Sequence, residues 1–278
     1  MLDHAQPERP VTVVWGEGGI GKSTLLDYME QECEARGVSR AKVLWTETRN
    51  QDFLGVMRKL RDDLGAERFS HFNALVNFFT SPPTAAAKVE LVVGSASVSV
   101  AENLRNHGTI GSVVGAEILV KDLNIALPSI DHGISPSERM ARLTDMFLRD
   151  LSAAAASGPI ILFLDAFEKA SEITRNWVCN KLVGALLDGR MMNVRVVISG
   201  RIRPSWPDDW WLVANEMQLT PFEAKHVIQY LEKNHLSFHE AARDDIVDVL
   251  LSTGNSVPGR LAATVQSWSE NESVRQHD

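Results

Sequence analysis

Gly16-Glu17-Gly18-Gly19-Ile20-Gly21-Lys22-Ser23 lies between the apolar run Val11-Thr12-Val13-Val14-Trp15 and a helix-patterned segment, and its reading decides the fold. The octapeptide has the form G-x-x-x-x-G-K-[ST] in its expected setting, strand before and helix after. Glycines let the backbone curl until successive N–H groups face inward at phosphate oxygens, and the helix N-terminus adds partial positive charge. Lys22 is placed to reach β and γ phosphates, and the Ser23 hydroxyl to ligate Mg²⁺. Gly16, Gly18, Gly19, Ile20, Gly21, Lys22, Ser23 and Thr24 are therefore the expected nucleotide-binding residues. A Gly-rich turn that holds no ligand is the alternative reading.

With 278 residues, the chain is long enough for one large domain or two smaller ones. At 44% hydrophobic and 23% charged residues, its composition is that of an ordinary globular protein. A net charge of −8 argues against a surface built for nonspecific phosphate contacts, so nucleic acid is not the expected partner. Cys33 and Cys179 fall in helix-patterned stretches and read as thiols without metal-ligand spacing. Met1 to Pro10 is polar, and no apolar run approaches the ~18 residues of a membrane span. The expectation is a soluble, cytoplasmic protein.

Working outward from the loop, strand and helix patterns alternate, which favours a parallel sheet covered by helices. Leu26, Met29 and Cys33 share one helical face, with Gly37 as the stop. Val43 to Thr48 reads as the next strand, followed by a helix carrying Phe53, Val56, Met57, Leu60 and Leu64. Ser135-Pro136-Ser137-Glu138 is a capping box opening a helix with core face Met140, Leu143, Phe147 and Leu151. Ile160 to Leu164 and Val194 to Ile198 are apolar throughout, as in buried parallel strands. Ile173, Trp177, Leu182 and Leu186 mark the helix between them, and Glu216 to Leu219 reads as a last, weaker strand. From Thr220-Pro221-Phe222-Glu223, a second capping box, only helical patterns follow: Ala224, Val227, Ile228 and Leu231, then Ala242, Ile246, Val249 and Leu250.

The expected fold is thus α/β: a P-loop three-layer sandwich over residues 1–219, then a small all-helical subdomain over 220–278. Residues 81–134 interrupt this order with Ser81-Pro82-Pro83, an alternating run from Val89 to Val100, and several glycines. They read as a variable surface insertion, a hairpin or a loop. An exposed edge for a partner or a second copy is the alternative.

Leu162-Phe163-Leu164-Asp165 puts a carboxylate at the C-terminal end of a buried strand, where open α/β sheets bind ligands. Asp165 is the expected Mg²⁺ carboxylate beside Ser23. Three residues on, Glu168 is a candidate base for an attacking water, or else an acidic first-turn residue favoured by the helix dipole. Val196-Val197-Ile198-Ser199-Gly200-Arg201 ends a strand on a cation, which can sense a γ-phosphate. Arg203 is a second candidate for that task.

These motifs in this order resemble the AAA-like signal-transduction ATPases called STAND NTPases, which include the NACHT and NB-ARC groups. The resemblance rests on GEGGIGKST at 16–24, ILFLDAFE at 161–168, VVISGR at 196–201 and LSTGNSVPGRL at 251–261. It implies ATP and ADP as ligands with Mg²⁺, and an arginine-bearing strand lying between the loop strand and the metal strand. It further implies a helical subdomain that closes over the nucleotide, with Pro258 touching it, although the spacing from Gly254 to Pro258 is longer than the family's Gly-x-Pro. Effector or sensor domains, other subunits and a possible homo-oligomer are the implied partners. The short stretch before Gly16 and the end soon after the helical part suggest an excised core or a stand-alone subunit.

Two functions compete at this point: a slow ATP-hydrolysing switch whose nucleotide state controls assembly, and an AAA+ motor or loader acting on DNA or protein. Pro204 and Pro207 leave little room between Gly200 and Glu216 for the helix that carries a motor's intersubunit arginine, which favours the switch. Trp206, Trp210 and Trp211, in the same stretch, read as a packed cluster or a docking patch. A GTPase would need Asp-x-x-Gly where Asp165-Ala166-Phe167-Glu168 stands, and Asn180-Lys181-Leu182-Val183 lacks the final Asp of a guanine reader. A small-molecule kinase shares the loop, but no acceptor pocket is visible in the pattern.

Overall fold

The computed structural model describes residues 9–47, 52–80, 92–93, 96–97, 134–204, 210, 212–234 and 240–275. Strands β1 (Val11–Trp15), β2 (Ser39–Leu44), β5 (Ile160–Asp165), β6 (Val194–Gly200) and β7 (Ala214–Gln218) form one sheet in the order β2-β5-β6-β1-β7. Every pairing in it is parallel. Strand β6, which carries the arginine motif, lies between β1 and β5, as the resemblance implies.

Alternation along these strands sorts the core into two layers. Val11 and Val13, Ile160, Leu162 and Leu164, and Val194, Val196 and Ile198 enter the larger cluster. Val14, Ile161, Phe163 and Val197 point the other way, into a smaller cluster with Leu26 and Cys33 of helix α1 (Lys22–Ala35). Both faces are covered, so these strands read as unbroken apolar runs instead of alternating ones.

The larger cluster is roofed by α2 (Phe53–Leu64), α3 (Ser70–Thr80) and α4 (Pro136–Ala155). Asp52 caps α2 by accepting from the Gly55 N–H at 2.7 Å, and Ser135 caps α4 by accepting from Glu138 at 3.3 Å with Pro136 first in the helix. Phe147 stacks on Phe69 at 5.4 Å and meets Phe72 and Trp177 edge-on at 5.5 and 6.0 Å. Between β5 and β6, α5 (Glu172–Trp177) and α6 (Val183–Leu187) are joined by a π turn, Val178–Leu182. That turn absorbs one extra residue, which is why Ile173, Trp177, Leu182 and Leu186 share a face despite a five-residue step.

Three readings need correction. Strand β2 runs Ser39–Leu44, not Val43–Thr48: it is an edge strand whose Arg40 and Lys42 pair with Glu34, Asp27 and Glu30 of α1 and hide its pattern, and it pairs with β5 along its whole length. Helix α7 (Ala224–Lys233) is capped by Glu223, whose N–H donates to His226 Nδ1 at 3.3 Å; Thr220 lies before the helix, where the Phe222 N–H is held by Ser256 O at 2.9 Å. In α8 (Glu240–Ser252) the core face is Val247 and Leu250, while Val249 is exposed.

Helices α7, α8 and α9 (Pro258–Arg275) share a third cluster of Val227, Leu231, Val247, Leu250, Leu261 and Val265. The 81–134 insertion lies outside the described residues, apart from Ile134 and the antiparallel pair β3 (Val92–Val93) and β4 (Ala96–Ser97). Trp210 is buried; Trp206 and Trp211 also lie outside them. Among the described residues, no helix is long and apolar enough to cross a membrane. Phe147→Ala should lower the free energy of unfolding by about 3–5 kcal/mol. Urea denaturation checks this, and a loss under about 1 kcal/mol would mean the aromatic group is loosely packed.

Candidate nucleotide-binding site

The loop starts where β1 ends. The Gly16 N–H donates to Gly200 O at 3.3 Å, and the Leu219 N–H donates to Trp15 O at 2.8 Å, so the neighbouring strands grip both sides of the exit. A Cβ on Gly16 would stand 2.6 Å from Leu219 O, so the close approach requires glycine here. Gly21, with φ 99°, makes the left-handed turn into α1. No side chain caps that helix, and its first turn holds no acidic residue. Its orphan N–H groups and dipole therefore face the loop available to an anion.

Ile20 is buried and anchors the loop, whereas Ser23 and Thr24 are exposed on the first turn of α1. Lys22 is 9% exposed, and its Nζ donates to Gly16 O at 2.7 Å and Glu17 O at 2.8 Å. Burial pulls its ammonium below the usual lysine range, opposed by the charges of Glu168, Asp165 and Glu17. Arg201 adds to the lowering. A phosphate is the group that would meet a half-desolvated ammonium and uncapped amides together.

Asp165 closes β5 and is 3% exposed. Its Oδ1 accepts from the Ala166 N–H at 2.8 Å and from the Ser199 hydroxyl, which is fully buried on β6. Both of these bonds end on Oδ1, so Oδ2 is the oxygen that would serve a cation or its water shell. Ala166 then takes a left-handed conformation, φ 59°, a strain of about 1–2 kcal/mol for a side chain with a Cβ. The turn is held from beneath: the backbone N–H of Trp45 donates to Asp165 O at 3.2 Å, and the buried Trp45 ring meets Phe167 edge-on at 5.3 Å.

Glu168 emerges from this turn toward β6. Its Oε2 accepts from the Arg201 N–H at 3.1 Å, and its Oε1 lies 3.6 Å from Arg201 Nε. A Cβ on Gly18 would stand 3.5 Å from Arg201 Cζ, which puts the guanidinium over the loop. Lys22, Asp165, Glu168 and Arg201 thus converge at the C-terminal ends of β1, β5 and β6, four residues drawn from three stretches of chain. Arg203 does not join them: Glu216 holds it at 2.7 and 2.9 Å on the β7 edge.

The helical part reaches the loop from the other side. Pro258 opens α9, and the next residue, Gly259, donates its N–H to Gly19 O at 2.9 Å. A Cβ on Gly259 would come within 3.0 Å of that oxygen, and the buried Val257 side chain lies 3.6 Å from the Cβ position of Gly19. Two contributors escape a reading of sequence alone. Ser199 leaves a weak signal, one polar residue inside an apolar strand; Trp45 leaves none beyond its size at a strand end.

No protein-family model matches this chain, and no curated protein matches it. Among solved structures it is similar to Cdc6p from Pyrobaculum aerophilum, with 10% identity, TM-score 0.42, and coverage of 82% of this chain and 43% of that one. A Walker-type ATPase of Pyrococcus abyssi aligns at 12% identity and TM-score 0.43, over 97% of this chain and 72% of its own. A STAND protein with a tetratricopeptide repeat sensor from Pyrococcus horikoshii aligns at 14% and 0.38, over 90% of this chain and 26% of its own. This chain therefore spans less than half of Cdc6p and about a quarter of the STAND protein. At these scores the likenesses carry no conclusion about its activity.

Gly16→Ala should displace the loop and cost about 1–3 kcal/mol by overpacking against the Leu219 carbonyl. Thermal unfolding of the variant checks this, and an unchanged midpoint would show that the strand exit has slack.

Proposed function

We propose that the chain binds ATP with Mg²⁺ and hydrolyses it slowly, the nucleotide state controlling conformation and assembly. The supporting observation is the bond from Gly259 to Gly19, which ties the helical part to the loop meant for phosphate. In this reading residues 1–219 hold the nucleotide and 220–278 act as a lid, so a change at the γ-phosphate is felt where the lid rests. Gly16, Gly18, Gly19, Ile20, Gly21 and Thr24 shape the cradle, and Pro258 sits at its lid side. Lys22 binds the β and γ phosphates in place of its two loop carbonyls. Arg201 reads the γ-phosphate.

Ser23 and Asp165 form a hard-oxygen donor pair suited to Mg²⁺, with Asp165 oriented by Ser199. When bound, that ion withdraws charge from the phosphate oxygens. Glu168 takes a proton from the attacking water as the water oxygen bonds to the γ-phosphorus and the bridging oxygen leaves with ADP. The implied partners are other subunits or domains, or a second copy of this chain.

Lys22→Ala should weaken ATP binding at least about 30-fold, as expected for losing a charge-assisted contact worth about 2 kcal/mol. Unchanged affinity by calorimetry would remove the nucleotide reading. Glu168→Gln should keep binding but slow turnover about 100-fold or more, and wild-type turnover would deprive Glu168 of its role. Particle mass with ADP and with a non-hydrolysable ATP analogue, with and without DNA, separates the two functions. Nucleotide-driven assembly without DNA supports the switch; assembly only on DNA supports the loader.

A further inference from the structure

Glu168 and Arg201 have each been given a task at the γ-phosphate, yet in this structure they are engaged with one another. Both Glu168 oxygens face Arg201, one accepting from its backbone N–H at 3.1 Å and the other 3.6 Å from its guanidinium Nε. The fit is close, because a Cβ on Gly200 would stand 3.3 Å from Glu168 Oε2. Glu168 is mostly buried, whereas the Arg201 side chain is 64% exposed and rests over Gly18. The carboxylate is therefore the fixed partner, anchored by the strained Ala166 turn and the Trp45–Phe167 contact beneath it. The guanidinium is the partner free to turn.

We infer that Glu168 tempers the preference for triphosphate over diphosphate, because it competes with the γ-phosphate for Arg201. The inference rests on the nucleotide reading above and adds to it. A diphosphate offers Arg201 nothing to exchange for the carboxylate, so the pair stays closed and the carboxylate stays occupied. A γ-phosphate offers two or more charged oxygens, and Arg201 exchanges one anion for another. Once the guanidinium leaves, Glu168 keeps only the backbone N–H of Arg201 and is released to face water. One cation thus serves two anions in turn, and the basal affinity for triphosphate is held below what Arg201 alone would give. The effect is modest because a partly exposed ion pair is worth little.

The test is a double-mutant cycle on binding, measured by calorimetry with ADP and the imido analogue of ATP, each with Mg²⁺, on the full chain. Glu168→Gln should tighten the analogue roughly two- to fivefold, the range expected for removing one partly exposed ion pair, while ADP affinity holds. In an Arg201→Ala background the same Glu168→Gln change should leave the analogue's affinity unaltered. If the tightening persists without Arg201, Glu168 acts by direct repulsion of the γ-phosphate and the competition is overturned. If Glu168→Gln alone changes nothing, it is overturned as well. Both failures leave nucleotide binding itself intact, whereas a parent chain that binds neither nucleotide overturns the underlying reading. Arg201→Lys guards against a folding defect: it keeps the charge, so it should preserve part of the Glu168→Gln effect.

Discussion

Strand β6 hydrogen-bonds to β1 on one side and to β5 on the other, with Trp15 opposite Gly200 and Leu164 opposite Ile198. Everything at the site depends on that double ladder. It sets the end of β1, where the loop begins, level with the end of β6, where Ser199 and Arg201 stand. It also sets Asp165 one step beyond the last residue of β5 paired with β6. Parallel pairing brings all three C-terminal ends to one edge, and a one-residue slip would exchange the two buried faces of a strand. Because both faces are packed, the register has little freedom to drift.

On this frame the charges lie close together and partly out of water. Lys22 turns back onto two loop carbonyls and feels Glu168 and Asp165 from the end of β5, across β6. Ser199 spends its hydroxyl on Asp165, and Glu168 spends its carboxylate on Arg201. The Ser199 hydroxyl and Asp165 Oδ1 are thereby paired, while the buried Trp45 Nε1 has no hydrogen-bond partner among the described residues. The arrangement stores a little strain at Ala166, which lets two acidic side chains leave a single turn in different directions.

The fold was legible where local chemistry and burial agree. The loop glycines, the capping serine before α4, the apolar runs of β5 and β6, and the helical stripes of α1 and α2 all mean in sequence what they become in space. Legibility failed at surfaces and joins. Strand β2 lies at an edge, so Arg40 and Lys42 break its pattern; Val249 is apolar yet exposed because three helices had to share one narrow core. The start of α7 moved because Phe222 is held by Ser256, more than thirty residues away. Helix α3 carries phenylalanines on its buried face, but no cap or breaker announced it. For the site, the loop and Asp165 announce themselves by motif, while Trp45 matters through its backbone bond to Asp165 and through its ring contact with Phe167.

Sequence by itself determined that a phosphate-shaped loop joins a strand to a helix, and that buried parallel strands end in Asp165 and in Ser199-Gly200-Arg201. Those are local statements, carried by backbone freedom at glycine and by runs of apolar side chains. Only the tertiary structure decided which strands are neighbours, that Arg201 meets Glu168, and that Gly259 of the last helix touches Gly19 of the loop. Such contacts join residues tens to hundreds of positions apart. Their partners are chosen by how layers pack, and no stretch of chain carries that choice within itself.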